Sequence, residues 1–244
     1  MNLLIDIGNS RLKWANEQAG CGLSVTVVDY RQTGYLADLR EIWRSLTVPE
    51  HLLVASVAES AVTAEVLDLA NSLWPHTPTE LPLAAAQAFG VTNAYQNPEK
   101  LGIDRWLALL AAHHYYPGSC CIVDCGTALT IDLINADGLH LGGLICPGLM
   151  VMKKALLANT AALEFERVAP QLMLADTTAA AIDNGVLAAG AGCIEAIVSR
   201  LEPTDHILLC GGDASLLAGQ LNLNVQIDAD LVFKGLSIVA AGKA

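Results

Sequence analysis

Two short stretches, about half a chain apart, place an aspartate near the end of an apolar run and a glycine two residues after it. LLIDIGNSRLKWA opens the chain and CIVDCGTALTIDLI lies near its middle. An ionised carboxylate inside an apolar strand is costly unless it gains hydrogen-bond donors or a cation. Asp6 and Asp124 therefore each need a partner. Asp-x-Gly on its own is an ordinary capped turn, and either copy alone is more often structural than catalytic. Its recurrence at the start of two similar halves points instead to one ligand handled twice.

The halves emerge from the pattern along the chain. Residues 3 to 7 and about 11 to 16 read as strands joined at Gly8-Asn9, where both residue types tolerate the positive φ of a tight hairpin; residues 23 to 28 offer a third. Apolar residues recur at helical spacing from Tyr35 to Leu46. HLLVASV (51 to 57) then reads as a buried strand followed by a helix over 60 to 74. Pro75, Pro78 and Pro82 interrupt the chain before a helix over about 100 to 116.

At Pro117-Gly118 the pattern restarts, with strands at 120 to 124, 128 to 134 and LHLGGLI (139 to 145), and helices over about 148 to 158 and 177 to 201. Asp183 and Glu195 mark the polar side of the last helix. HILLCGGDAS (206 to 215) echoes HLLVASVAES (51 to 60) as a strand passing into a helix. The pattern predicts an α/β fold of two related domains, 1–117 and 118–244, facing each other across a cleft where a ligand would sit.

With 53% hydrophobic and only 16% charged residues, disorder is excluded and shared interface, as in a dimer, is expected. A net charge of -12 without a Lys/Arg cluster argues against a nucleic-acid partner. Seven cysteines, odd in number and without a C-x-x-C pair, read as buried thiols in a reducing compartment. The N-terminus has no basic region, Asp6 interrupts its apolar run, and no later stretch of about twenty residues is apolar enough to span a bilayer. These features predict a cytoplasmic protein with no membrane partner.

Glycine turns let backbone N–H groups approach phosphate oxygens closely. Asn9, Ser10 and Thr127 add neutral donors, and Lys13, if it is more than a solvated lysine, adds a cation. Asp6 and Asp124 would hold cations that neutralise the phosphates. Nucleotide binding is thus predicted without a P-loop; no G-x-x-x-x-G-K-[ST] or G-x-G-x-x-G fingerprint occurs.

The motifs D-x-G-N-[ST]-x-x-K (Asp6 to Lys13) and D-x-G-T (Asp124 to Thr127), with Gly211-Gly212, resemble the phosphate and adenosine motifs of the acetate and sugar kinase, Hsp70 and actin superfamily. GIDR (102 to 105) and GGLICPGLMVM (142 to 152) further resemble the type III pantothenate kinases, in order, over nearly the whole chain. The resemblance implies duplicated ribonuclease H-like (actin-like ATPase) domains. It implies transfer of the γ-phosphoryl group of ATP to the hydroxyl of pantothenate, giving 4'-phosphopantothenate in the first step of coenzyme A synthesis, with Mg²⁺ and a monovalent cation such as K⁺ or NH4⁺.

By the same resemblance Asp6, Ile7, Gly8, Asn9, Ser10, Arg11, Leu12, Lys13 and Thr127 would contact ATP, with Asp6 toward Mg²⁺, and Asp124 would hold the monovalent cation. Asp104 would be the general base. Gly102, Ile103, Asp104, Arg105 and Tyr95 would line the pantothenate pocket, and Thr178 would be lent across a homodimer interface.

Each role has a plainer rival. Asp104-Arg105 could be a surface ion pair at a helix start, Tyr95 could simply pack, and Thr178 could be an N-cap for which Asp176 and Thr177 compete. His113-His114 has no partner at metal spacing and reads as structural. Two other functions stay open at this point: a same-fold kinase for another hydroxyl or carboxyl acceptor, and a non-catalytic ATP-binding regulator. GIDR with Tyr95 upstream favours pantothenate.

Overall fold

Alternating apolar strands and amphipathic helices give, in the computed structural model, an α/β protein whose residues 1–17, 23–160, 169–201 and 204–242 are described. Cys21 lies outside the described residues. In chain order the first elements are β1 (Asn2–Ile7), β2 (Leu12–Glu17), β3 (Ser24–Val28), α1 (Tyr35–Arg44), β4 (His51–Ser56) and α2 (Ser60–Leu73). Then come β5 (Thr79–Glu80), β6 (Gln87–Ala88), β7 (Val91–Thr92), a 3-10 turn at Pro98–Lys100 and α3 (Ile103–Tyr115). The sequence continues with β8 (Cys120–Cys125), β9 (Ala128–Ile134), β10 (His140–Pro147), α4 (Leu149–Ala158) and α5 (Thr178–Val198). It ends with β11 (His206–Cys210), α6 (Ala214–Ala218), β12 (Gln226–Ile227) and α7 (Leu231–Ala241).

Two compact units result, one of Met1–Tyr115 with Asp230–Ala244 and one of Tyr116–Ala229. Each has a five-stranded sheet, ordered β3-β2-β1-β4-β5 in the first and β10-β9-β8-β11-β12 in the second. In both, the first three strands in sequence form an antiparallel meander and the fourth and fifth add in parallel beside the first. The two echoing decapeptides thus begin with β4 and β11, which occupy the same station. The repeat is the ribonuclease H-like duplication.

Dividing the sequence at 117/118 assigns its last residues to the second half. The structure groups Asp230–Ala244 with the first unit instead. The reason is packing: α7 lies against α3 and β1, and a Cβ on Gly235 would overlap the backbone of Leu107. Only glycine lets the two helices approach so closely.

In the first unit, strand alternation sends Leu3, Ile5 and Ile7 into a core with Leu39 and Trp43 of α1 and Val66, Leu69 and Ala70 of α2. Trp43 is fully buried, stacked on Trp74 at 5.5 Å and edge-on to Trp14 at 6.4 Å. Leu4 and Asp6 therefore point to the opposite face, where α7 packs on β1 and α3 on β4. In the second unit Cys121, Val123 and Cys125 of β8 pack with Leu187, Ala191 and Ile194 of α5 and Leu217 of α6. Asp124 again points away from that core.

Helix α5 corrects one expectation, since by length and composition its 21 residues could cross a membrane. Its buried side chains, however, face the sheet, and its acidic residues are engaged inside the unit. Lys153 Nζ donates to both Asp183 oxygens at 2.7 and 2.8 Å, and the Asn222 N–H donates to Glu195 at 2.8 Å. Asp183, read as marking the polar side of the helix, is half of a largely buried ion pair.

The six described cysteines are free. Burial pushes the Cys121 and Cys125 thiols up to about 12, helped by Asp132 and Asp124 respectively. Burial and then Asp205 raise Cys120 to about 11. The folded chain thus holds neutral thiols that the unfolded chain would ionise from the ordinary value of 9.0. Their contribution to stability is complete below pH 9 and is lost as pH rises toward 12. The melting temperature should accordingly fall with increasing pH above 9, and the slope should be shallower in Cys125→Ala; equal slopes would reject the thiol origin.

Candidate active site

The first turn follows from β1 and β2 being paired up to Ile7 and Leu12, which leaves four residues to reverse the chain. The Gly8 N–H donates to Arg11 O at 3.0 Å and closes it. Asp6, the penultimate residue of β1, is only 7% exposed and lies opposite Lys13, whose Nζ is 3.8 Å from Asp6 Oδ2. The lysine is thus more than a solvated chain. Ile7 and Leu12 are wholly buried in the core. They can meet a ligand only through their backbone.

Two residues that sequence reasoning passed over brace this turn. Tyr30 Oη donates to Gly8 O at 2.8 Å, and Arg31 Nη2 donates to Ser10 Oγ at 2.7 Å and to Asn9 O at 3.2 Å. No local motif flags them; they arrive through β3, whose register beside β2 delivers them to the turn.

A second constellation gathers in the same unit at the start of α3. Arg105 is buried, donates through Nη1 to Tyr95 Oη at 2.8 Å and stacks over the Tyr95 ring at 5.7 Å. Asp104, half-exposed in the first turn of the helix, accepts the Arg105 N–H through Oδ1 at 2.8 Å. Negative charge is favoured at that helix end. Gly102 leaves room for this fold-back, since a Cβ there would come within 2.6 Å of Asp104 Oδ1 and push the carboxylate aside. Asn93, also missed, shapes the approach: its Oδ1 accepts the Tyr95 N–H at 3.0 Å while its Nδ2 donates to Ala85 O and Pro98 O, both at 3.2 Å. The structure therefore brings Tyr95, Gly102, Asp104 and Arg105 together, with the arginine buried and bonded to tyrosine rather than lying on the surface.

In the second unit the Gly126 N–H donates to Ala128 O at 3.0 Å, repeating the construction of the first turn. Asp124, penultimate in β8, lies opposite Thr130, so a hydroxyl stands where the first turn has a lysine. Glycines crowd this turn. Gly148 donates its N–H to Thr127 O at 2.9 Å, and a Cβ on it would overlap the Gly126 and Thr127 carbonyls. Gly211, at φ +88°, abuts Asp124 Oδ1 and the Cys125 carbonyl in the same way. Thr178 opens α5 but does not cap it. Thr177 Oγ1 takes that role, accepting the Ala180 N–H at 3.3 Å, and Thr178 lines an apolar groove with Met152, Leu156, Ala181 and Ile182.

Comparison with known proteins decides among the functions left open. The family model described as type III pantothenate kinase matches residues 2–200. This chain belongs to the type III pantothenate kinase family. A type III pantothenate kinase from Nitrosococcus oceani is 37% identical over 250 residues, covering 98% of this chain and 94% of the relative. One from Dichelobacter nodosus is 36% identical over 243 residues, covering 97% and 96%. Among solved structures, the activator of the 2-hydroxyisocaproyl-CoA dehydratase from Clostridium difficile, with bound ADPNP, matches with a TM-score of 0.56 at 10% identity, covering 99% of this chain and 94% of that one. That likeness concerns the fold alone.

As a type III pantothenate kinase, the chain is an enzyme that phosphorylates pantothenate with ATP, the entry reaction of coenzyme A synthesis. The crowding at Gly102 yields a direct expectation. Gly102→Ala should leave the melting temperature nearly unchanged, because Asp104 can swing aside, yet lower kcat by roughly 10- to 100-fold through the displaced carboxylate. Pantothenate-dependent ADP release checks it, and a wild-type kcat would mean that the position of Asp104 is immaterial.

Proposed function

We propose that phosphoryl transfer in this chain runs on Asp104 as the general base, with the pantothenate hydroxyl delivered to it by the Tyr95-Arg105 pair. The single observation that carries this reading is the Gly102-Asp104-Arg105-Tyr95 arrangement. One carboxylate is held at a helix start, and a buried guanidinium is aimed by a phenol beside it. Arg105 and Tyr95 offer polar groups to pantothenate, with the backbone of Gly102 and Ile103 alongside. Asp104 accepts the hydroxyl proton as that oxygen bonds to the γ-phosphorus and the bond to the β-phosphate oxygen breaks.

The segment Asp6 to Lys13 holds the phosphates of ATP. Gly8, whose own N–H closes the turn on Arg11 O, shapes it, while Asn9 and Ser10 supply backbone and hydroxyl donors and Lys13 a positive charge. Ile7 and Leu12 contribute main chain, and Arg11 stands exposed beside them. Thr127 is a further proposed nucleotide contact. Among the described residues no three His, Cys, Asp or Glu side chains cluster as an all-protein metal cage. Single carboxylates such as Asp6 and Asp124 suit cations that complete their shells with water and phosphate oxygens, which is the habit of Mg²⁺. We assign Asp6 to the Mg²⁺ of Mg-ATP and Asp124 to a monovalent cation, K⁺ or NH4⁺; bound there, these ions would neutralise phosphate charge.

We further read the enzyme as a homodimer that lends Thr178 to the pocket of its partner. The apolar groove around Thr178 and the exposed Leu144, Ile145 and Met150 support that reading. The six free cysteines fit the reducing environment of the cytoplasm.

Asp104→Asn should keep ATP affinity, measured by calorimetry, and lose roughly 10²- to 10⁴-fold in turnover; turnover near wild type would reject the base assignment. Replacing K⁺ by Na⁺ should depress the rate, and Asp124→Asn should abolish the difference between the two salts. Identical rates of the unmodified enzyme in both salts would sink the monovalent site.

A further inference from the structure

We infer that Arg31 is a second cationic contact for the phosphates of ATP, held at the tip of the first turn by the residues it bonds; this rests on reading the Asp6 to Lys13 segment as the phosphate turn. An arginine has five N–H donors in a fixed planar fork. Arg31 spends Nη2 on Ser10 Oγ and Asn9 O, which pins the guanidinium at the turn while the side chain stays exposed. Among the described residues no carboxylate takes its guanidinium. Asp29, the nearest acid in sequence, is used by the Arg31 backbone N–H at 3.0 Å. A planar donor set facing solvent beside a glycine turn is complementary to phosphate oxygens.

The surroundings show that this placement is built. Tyr30 Oη holds Gly8 O, and the Tyr30 ring packs at 6.1 Å on Tyr35, whose hydroxyl bonds Glu65 at 2.7 Å. The segment Asp29 to Arg31 is thus anchored to α2 on one side and to the turn on the other. The clamp also changes the field at the turn. The Gly8 and Asn9 carbonyls, which would repel an anion, are occupied by the tyrosine hydroxyl and the guanidinium, so the ligand meets donors and positive charge. In a chain with a net charge of -12 and 13 Lys and Arg residues, a trianionic or tetra-anionic nucleotide needs such local compensation.

The test separates a phosphate ligand from a structural strut. Arg31→Gln should raise KM for ATP and weaken ATP binding in calorimetry by roughly tenfold, the loss of one charge-assisted contact, with KM for pantothenate and the melting temperature unchanged. Arg31→Lys should recover most of the ATP affinity because it restores the charge. The inference is overturned if Arg31→Gln binds ATP like the unmodified enzyme. It is equally overturned if Arg31→Lys is as impaired as Arg31→Gln, or if KM for pantothenate rises in step with that for ATP, since each would make Arg31 a strut. An unmodified enzyme that releases no ADP with pantothenate would instead refute the underlying function, a result distinguishable from any of these.

Discussion

A carboxylate one residue from the end of a central strand, beside the turn that follows it, is the constraint on which the rest of this molecule depends. Asp6 and Asp124 occupy that position in β1 and β8. Being penultimate keeps each within the sheet, so the side chain is largely removed from water. Lying beside a turn gives it polar neighbours, Lys13 opposite Asp6 and Thr130 opposite Asp124, that the middle of an apolar strand lacks. The N–H of the glycine two residues later closes the turn, on Arg11 O in the first copy and on Ala128 O in the second. One arrangement thus sets a largely buried carboxylate beside a short, hydrogen-bonded reversal of the chain.

The two copies differ where their chemistry can differ. Lys13 across the first strand pair balances Asp6, whereas Thr130 across the second leaves Asp124 with neutral company on that side. The second turn is also more crowded, since Gly148 and Gly211 both pack against it where any side chain would collide. A lysine-balanced turn with a hydroxyl and an arginine nearby is suited to anions. A glycine-packed carboxylate facing a hydroxyl is suited to a weakly bound cation. A duplicated turn can therefore serve two tasks without a change of backbone plan.

Much of this was legible in the sequence because it is local. The strand-glycine-strand signature, the helical spacing of α1 to α5 and the echo between residues 51–60 and 206–215 all reflect contacts between near neighbours, and GIDR encodes a fold-back confined to four residues. What escaped was non-local. Residues 230–244 were assigned by position to the second half, yet α7 belongs with α3 through Gly235, a contact about 130 residues distant in sequence that periodicity cannot register. Tyr30 and Arg31 look like ordinary loop residues until β3 is registered beside β2. Asn93 carries no signal beyond its turn. The apolar character of α5 was visible, but its ion pair with Lys153 required knowing that α4 packs alongside.

The same distinction explains how the constellation proposed for pantothenate is organised. Asp104 is shaped by Gly102, two positions before it, and by Arg105, the residue after it, so its orientation is a local property of GIDR. Tyr95 reaches Arg105 from the 85 to 98 loop, which Asn93 ties together at the backbone of Ala85, Tyr95 and Pro98. Orientation of the carboxylate proposed as base is thus self-contained, while orientation of the arginine proposed to face substrate depends on a loop. Variation in what the pocket accepts can then arise in the loop without disturbing the carboxylate, and α3, pinned by the close approach of Gly235 to Leu107, supplies the rigid floor on which both stand.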